Sequence, residues 1–240
     1  LGCGSGLFSK HLVEWGAHVK GCDISERLIE LAKTQVPEAQ FSVGEASQTL
    51  MPADSFDGVV SCLVLHYLDQ LQPFFKEVSR ILKKNGLFAF SFHHPMNEVV
   101  EGSFTSAKLF PYFSHREYKW TMVEGMELTS YHHTFDEIVS ELAEAGFYIE
   151  LLKEARPAEE VKLQFPDFFE KSIRLPFFGS PKRRAGKTSR SKSASCVLAA
   201  SHRKIVPAGK LASPKVGDNR RASQPFPGRK ASSRYRSRWR

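Results

Sequence analysis

The chain has 240 residues, with 34 Lys and Arg against 26 Asp and Glu, for a formal net charge of +8. That length holds one domain with a sizeable core, and no uninterrupted apolar run reaches the ~18 residues of a membrane helix. The charge is split: residues 181–240 carry 18 of the 34 bases and one of the 26 acids, Asp218, leaving 16 bases against 25 acids in residues 1–180. The first part is therefore acidic and gives no electrostatic reason to expect a nucleic-acid substrate. The four cysteines, Cys3, Cys22, Cys62 and Cys196, show no metal-ligand spacing. Three sit in or beside expected strands, and all read as reduced packing residues of a cytoplasmic protein.

Leu1-Gly2-Cys3-Gly4-Ser5-Gly6 reads as a strand end that turns through glycines into a helix, Leu7 to about Trp15. Glycines there let the backbone pass close to a ligand, and the helix start offers unpaired N–H groups. Leu7, Phe8, Leu12, Val13 and Trp15 form an apolar stripe at helical spacing and are expected in the core. His18 to Ser25 is a short strand ending in the acid Asp23. Ser25 caps a helix from Glu26 to about Thr34, and Phe41–Val43 followed by Glu45 repeats the strand-then-acid form. Phe56 to Leu65 is almost all apolar, as in a strand buried on both faces. Leu71 to Leu82 is an amphipathic helix with Phe74, Phe75, Val78, Ile81 and Leu82 inward. Lys83, Lys84 and Gly86 close it, and Leu87–Phe92 is the next strand.

From Pro95 to Ser130 the periodicity dissolves into a long segment rich in aromatics. The aromatics argue against disorder, so residues 95–134 are expected to be a substrate-covering insertion. Thr134 and Glu137 form a capping box for a helix from Phe135 to Ala145, stopped by Gly146. Phe147–Leu152 and Ile173–Phe178 are expected as the last two strands. Beyond Ser180, Ser, Arg, Lys, Ala, Pro and Gly dominate. Residues 181–240 are expected to be a basic, disordered tail, either a nucleic-acid-binding element or no evolved element at all.

The glycine loop, the acid Asp23, the Phe56-Asp57 strand and the Leu82-Lys83-Lys84-Asn85-Gly86 turn resemble, in order and spacing, the class I S-adenosylmethionine-dependent methyltransferases. They are most similar to the small-molecule group that includes the ubiquinone and menaquinone biosynthesis enzymes. The resemblance covers Leu1 to about Phe178. It implies an α/β, Rossmann-like doubly wound, mostly parallel sheet with an antiparallel edge hairpin. The chain opens on Leu, not Met, at a loop that a strand normally precedes, so a fragment lacking its first strand is expected.

The resemblance further implies S-adenosyl-L-methionine as cofactor. Gly2, Cys3, Gly4 and Gly6 would approach its amino-acid and ribose parts. Asp23, beside Ile24, would take the ribose hydroxyls. Glu45 and Ala46 would hold the adenine, although the family more often has Asp where Glu45 stands. Ser61, Cys62 and Leu63 would line the methionine side. Methyl transfer from a sulfonium needs alignment and exclusion of water above all, and a base only when the acceptor must lose a proton early. Among His66, His93-His94 and His132-His133, the expected base is His94 or His133. No acid joins these pairs at a known ligand spacing, so no metal is expected. The resulting expectation is methyl transfer to a small, partly apolar acceptor. Two alternatives are a non-catalytic truncated domain whose basic tail binds nucleic acid, and an RNA methyltransferase. The second is disfavoured by Cys62-Leu63-Val64-Leu65 standing where an Asn-Pro-Pro-aromatic motif would.

Overall fold

The computed structural model describes residues 1–96, 100–101, 108–109, 111–123, 126–154, 159–164, 166 and 195–202. In chain order these form α1 (Leu7–Glu14), β1 (Lys20–Asp23), α2 (Glu26–Gln35), β2 (Gln40–Val43), β3 (Phe56–Cys62) and a short 3-10 turn (Leu65–Tyr67). There follow α3 (Gln72–Ile81), β4 (Leu82–His93), β5 (Val100–Glu101), β6 (Lys108–Leu109), β7 (Arg116–Val123) and β8 (Met126–His132). Then come α4 (Phe135–Glu144), β9 (Phe147–Glu154), α5 (Glu159–Gln164) and β10 (Ser195–His202).

Local chemistry sets the helix starts. Ser25 Oγ accepts from the Leu28 amide at 3.4 Å and Thr134 Oγ1 from the Glu137 amide at 3.1 Å, so each satisfies an orphan donor. The apolar rows of α3 then decide the core. Phe74, Phe75, Val78 and Ile81 are fully buried, as are Phe88, Phe90 and Phe92 on alternate positions of β4. Phe88 is the hub, with ring centroids 6.0 Å from Phe74, 6.2 Å from Phe75, 4.6 Å from Phe90 and 5.6 Å from Phe147. Each such ring removes about 1.5–3 kcal/mol worth of apolar surface from water.

The sheet is α/β and Rossmann-like in its winding. β1 and β2 pair parallel, and β3 pairs parallel with β4. β10 lies antiparallel between β4 and β9, which makes the antiparallel edge. The two ladders are separate. Leu1–Cys3 run between them, with the Leu1 amino group donating to Val60 O at 2.7 Å and the Cys3 amide to Cys22 O at 3.0 Å. A cavity of about 910 Å³ follows this gap.

Four expectations are corrected. The α1 stripe is core only in part: Val13 packs against the Ile29, Ala32, Val36 and Phe41 cluster, whereas Leu7, Phe8 and Trp15 are exposed, with Leu7 and Phe8 bordering the cavity between the ladders. β3 is not buried on both faces. It is an edge of the four-stranded ladder, and Asp57, Gly58 and Cys62 are exposed. The segment read as patternless holds an antiparallel hairpin, β7–β8, running Arg116↔His132 to Val123↔Met126. The boundary at Ser180 is too early. β10 lies inside the expected tail yet is ladder-bonded on both sides, and the compact unit runs from Leu1 to Ile205. The strand expected at Ile173–Phe178 lies outside the described residues. Among the described residues no helix is long and apolar enough to cross a membrane.

Candidate functional site

In open parallel sheets, ligands bind at the carboxyl ends of the strands. The glycine loop, the ends of β1, β2 and β3 and the histidines after β3 and β4 all meet that edge. The loop is built by sterics and one carboxylate. Gly2, Gly4 and Gly6 have φ of 65°, 53° and 83°, values that disfavour any side chain. A Cβ on Gly2 would stand 2.2 Å from Val64 Cγ2, and one on Gly6 3.2 Å from Ala32 Cβ. A Cβ on Gly4 would meet nothing within 4 Å, so space lies open over that residue. Asp23 Oδ2 accepts from the Gly4 amide at 2.7 Å and Oδ1 from the Ser25 amide at 3.0 Å. The acid thus ties the loop to the start of α2 and keeps lone pairs for a further donor. No side chain caps α1. Its first-turn amides therefore face the loop without a side-chain acceptor.

The other expected cofactor residues are distributed along the same edge. Ile24 is 78% exposed beside Asp23. Glu45 is exposed and accepts from Ser47 Oγ, while Ala46 packs against the main core. Ser61 is fully buried, and its Oγ has no hydrogen-bond partner among the described residues. Such a buried hydroxyl costs about 1–3 kcal/mol unless something meets it. Leu63 has φ 58°, and its amide donates to Ser91 O at 2.8 Å. Cys3 is a poor thiolate: burial, then the Asp23 charge, push its thiol up to about 11. An open side at Gly4, a partnerless Ser61 hydroxyl and a carboxylate with lone pairs to spare fit an amino-acid-bearing nucleoside. The 910 Å³ cavity borders the glycine loop at Gly2, Cys3, Gly4 and Ser5 and extends from it to the amino ends of the strands at Lys20, Phe56 and Asp57.

The histidines divide into two kinds. His94 and His133, the expected bases, are both tied down. His94 Nδ1 accepts from the Met96 amide at 3.1 Å, and its Nε2 donates to Glu154 at 3.0 Å. His133 Nε2 donates to Leu68 O at 2.7 Å, and its Nδ1 faces Glu137 Oε1 at 2.9 Å. In this structure each nitrogen of the two rings faces one of these partners. His66 and His93 are the other kind. Parallel pairing of β3 with β4 stacks their rings at 3.7 Å and 11°. Tyr67 lies 4.1 Å from His66, and Trp120 of the hairpin lies 6.4 Å from His93. Burial holds His66 down to about 2, helped by the charges of His93 and His133, and holds His93 down to about 4. Both rings are neutral at neutral pH. His66 Nδ1 is buried without a hydrogen-bond partner among the described residues. Sequence spacing alone did not reveal this pair, because it is assembled by strand register across 26 intervening residues.

Comparison with known proteins comes to the same region. Residues 1–90 match the family model described as a methyltransferase domain. The ubiquinone biosynthesis O-methyltransferase of Pelagibacter ubique is 31% identical over 90 residues, covering 36% of this chain and 38% of that protein. An uncharacterized methyltransferase of Synechocystis is 36% identical over 100 residues, covering 40% of this chain and 47% of that protein. The matches thus span less than half the length of these curated relatives. A solved candidate S-adenosylmethionine dependent methyltransferase from Listeria monocytogenes superposes with a TM-score of 0.68 at 25% identity, covering 85% of this chain and 88% of that one. One from Mesorhizobium loti gives a TM-score of 0.67 at 24% identity, covering 84% and 88%.

Proposed function

We propose that this chain, whose first 90 residues are a methyltransferase domain and whose fold is that of the class I S-adenosylmethionine-dependent methyltransferases, transfers a methyl group from S-adenosyl-L-methionine to a small-molecule acceptor. S-adenosylhomocysteine is the second product. One observation carries the reading: Asp23 takes the Gly4 amide at 2.7 Å, so acid, glycine loop and uncapped α1 start form one unit at the ligand edge. The remaining Asp23 lone pairs accept ribose hydroxyls. The open side of Gly4 admits the amino-acid part, whose carboxylate suits the first amides of α1. Glu45 and Ala46 flank the adenine, with the Ile24 side chain beside them, and Ser61 to Leu63 face the methionine side.

The cofactor, when bound, supplies an activated methyl on a sulfonium. The residues of the chain then have three tasks. The first is alignment, which the loop and Asp23 provide. The second is shielding, for which the β7–β8 hairpin brings Trp120 against His93. The third is electrostatic. Neutral His66 and His93 put polar rings near a cationic donor without repelling it. The family match ends at residue 90, before His93 and the hairpin, so acceptor choice rests on a part of the chain outside it. The name of the Pelagibacter relative makes hydroxyl-bearing aromatic rings the first acceptors to test.

The test is transfer of label from methyl-labelled donor to a panel of small hydroxylated aromatics, with RNA as comparison. Label in a small acceptor, lost in Asp23→Ala, is the expected result. Label in RNA alone would replace the small-molecule reading.

A further inference from the structure

A second cluster lies apart from the glycine loop. His115 stands just before β7, His133 between β8 and α4, and Glu137 in the first turn of α4. One ligand atom from each lies within 4.8 Å of the others. His133 is 4% exposed, whereas His115 is on the surface.

The hydrogen bonds around His133 pose a problem of charge. Its Nε2 faces the Leu68 carbonyl at 2.7 Å, which can only accept, so Nε2 carries a proton. In the neutral ring Nδ1 is then a bare lone pair. It faces Glu137 Oε1 at 2.9 Å. Two unprotonated acceptors at that distance need a proton or a metal ion between them. The surroundings are those of a metal ligand: an imidazole whose outer N–H is fixed by a backbone carbonyl presents its other nitrogen in a set direction. His115 is oriented in the same manner, its Nε2 lying 3.0 Å from Asp69 Oδ1.

We infer that His115, His133 and Glu137 form a divalent transition-metal site, suited to zinc, with an open fourth position. Two imidazoles and a carboxylate are a common zinc set. With metal–ligand bonds of about 2.0–2.2 Å, ligand atoms in a tetrahedral site stand roughly 3.3 Å apart. The His133–Glu137 separation of 2.9 Å is already near that value. His115 needs a swing of an exposed ring to complete the set. The donors come from three places in the chain, and Leu68 and Asp69 support them from a fourth. A metal here fastens the β7–β8 hairpin to the start of α4 and to the turn after β3. The spacing of His132-His133 does not show it, because His115 lies 18 residues upstream and the acid is one helical turn downstream.

The test is titration of zinc alone into the full chain, freed of metal with a chelator, against a chromophoric zinc indicator. It uses no methyl donor or acceptor, so its outcome is separate from that of the transferase reading. One equivalent should bind, and His115→Ala and Glu137→Gln should each weaken it at least tenfold. His115 is exposed, so its variant keeps the far-UV spectrum of the parent. Absence of stoichiometric binding would overturn the inference, as would parental affinity in either variant. So would a nitrogen NMR spectrum at saturating zinc in which both His133 nitrogens still carry protons.

Discussion

Lowering the pH from 7 to 5 should destabilise this fold through His66 and His93. Burial takes the two rings from an ordinary 6.5 to about 2 and about 4. In the unfolded chain both protonate near 6.5, whereas in the folded chain both stay neutral at pH 5. The unfolded state therefore binds more protons, and stability falls as pH drops below 6.5. At pH 5 an unfolded imidazole lies about 1.5 units below its pKa, worth about 2 kcal/mol per ring, or about 4 kcal/mol for the pair. That is a large part of the 5–15 kcal/mol that holds a typical domain. Urea unfolding followed by circular dichroism at pH 7 and pH 5 measures it. The double variant His66→Phe with His93→Phe keeps the stacking and removes the titration, so most of the pH dependence should vanish. Glu77 and Glu137, both held below the ordinary carboxylate range, contribute only under more acidic conditions. Equal losses in parent and double variant would refute the burial argument.

Substitutions in the glycine loop should separate fold from ligand. Gly2→Ala forces a Cβ to within 2.2 Å of Val64 Cγ2 at φ 65° and should cost about 2–3 kcal/mol in thermal unfolding. Gly4→Ala meets open space; it should cost only about 1 kcal/mol while weakening S-adenosylhomocysteine binding more than tenfold by calorimetry. Phe88→Ala empties the hub of the aromatic core and should lose about 3–5 kcal/mol in urea unfolding, with little change in the calorimetric affinity of whatever fraction stays folded.

What the sequence revealed was whatever local chemistry decides. Ser25 and Thr134 announced their helices because a cap is a one-residue event. The inward row of α3 was readable because its period leaves one apolar face. Periodicity says which residues share a face, not what covers it, and so Leu7, Phe8 and Trp15 were misplaced. β10 was hidden by averaging: Ser195–His202 is eight residues of small and apolar character inside sixty dominated by base. Ala200 and His202 are buried, and Ala199 and Ser201 between them are half-buried. The hairpin was missed because β7 interleaves aromatic with charged residues, β8 shows no clean alternation, and the two were read as one irregular segment.

The site followed the same rule. Asp23 was legible as an acid at a strand end, and the structure adds its bond to the loop. Which histidine is available was not legible. His94 and His133 are held by Glu154 and Leu68, whereas His66 and His93 are stacked by the β3–β4 register.

The measurement that bears most directly on the cofactor site is calorimetric titration of S-adenosylhomocysteine into the full chain, beside Asp23→Ala. Micromolar binding by the parent, weakened at least tenfold by the substitution, is the predicted result. A folded parent that binds nothing, or an Asp23→Ala variant that binds as well as the parent, would contradict the account.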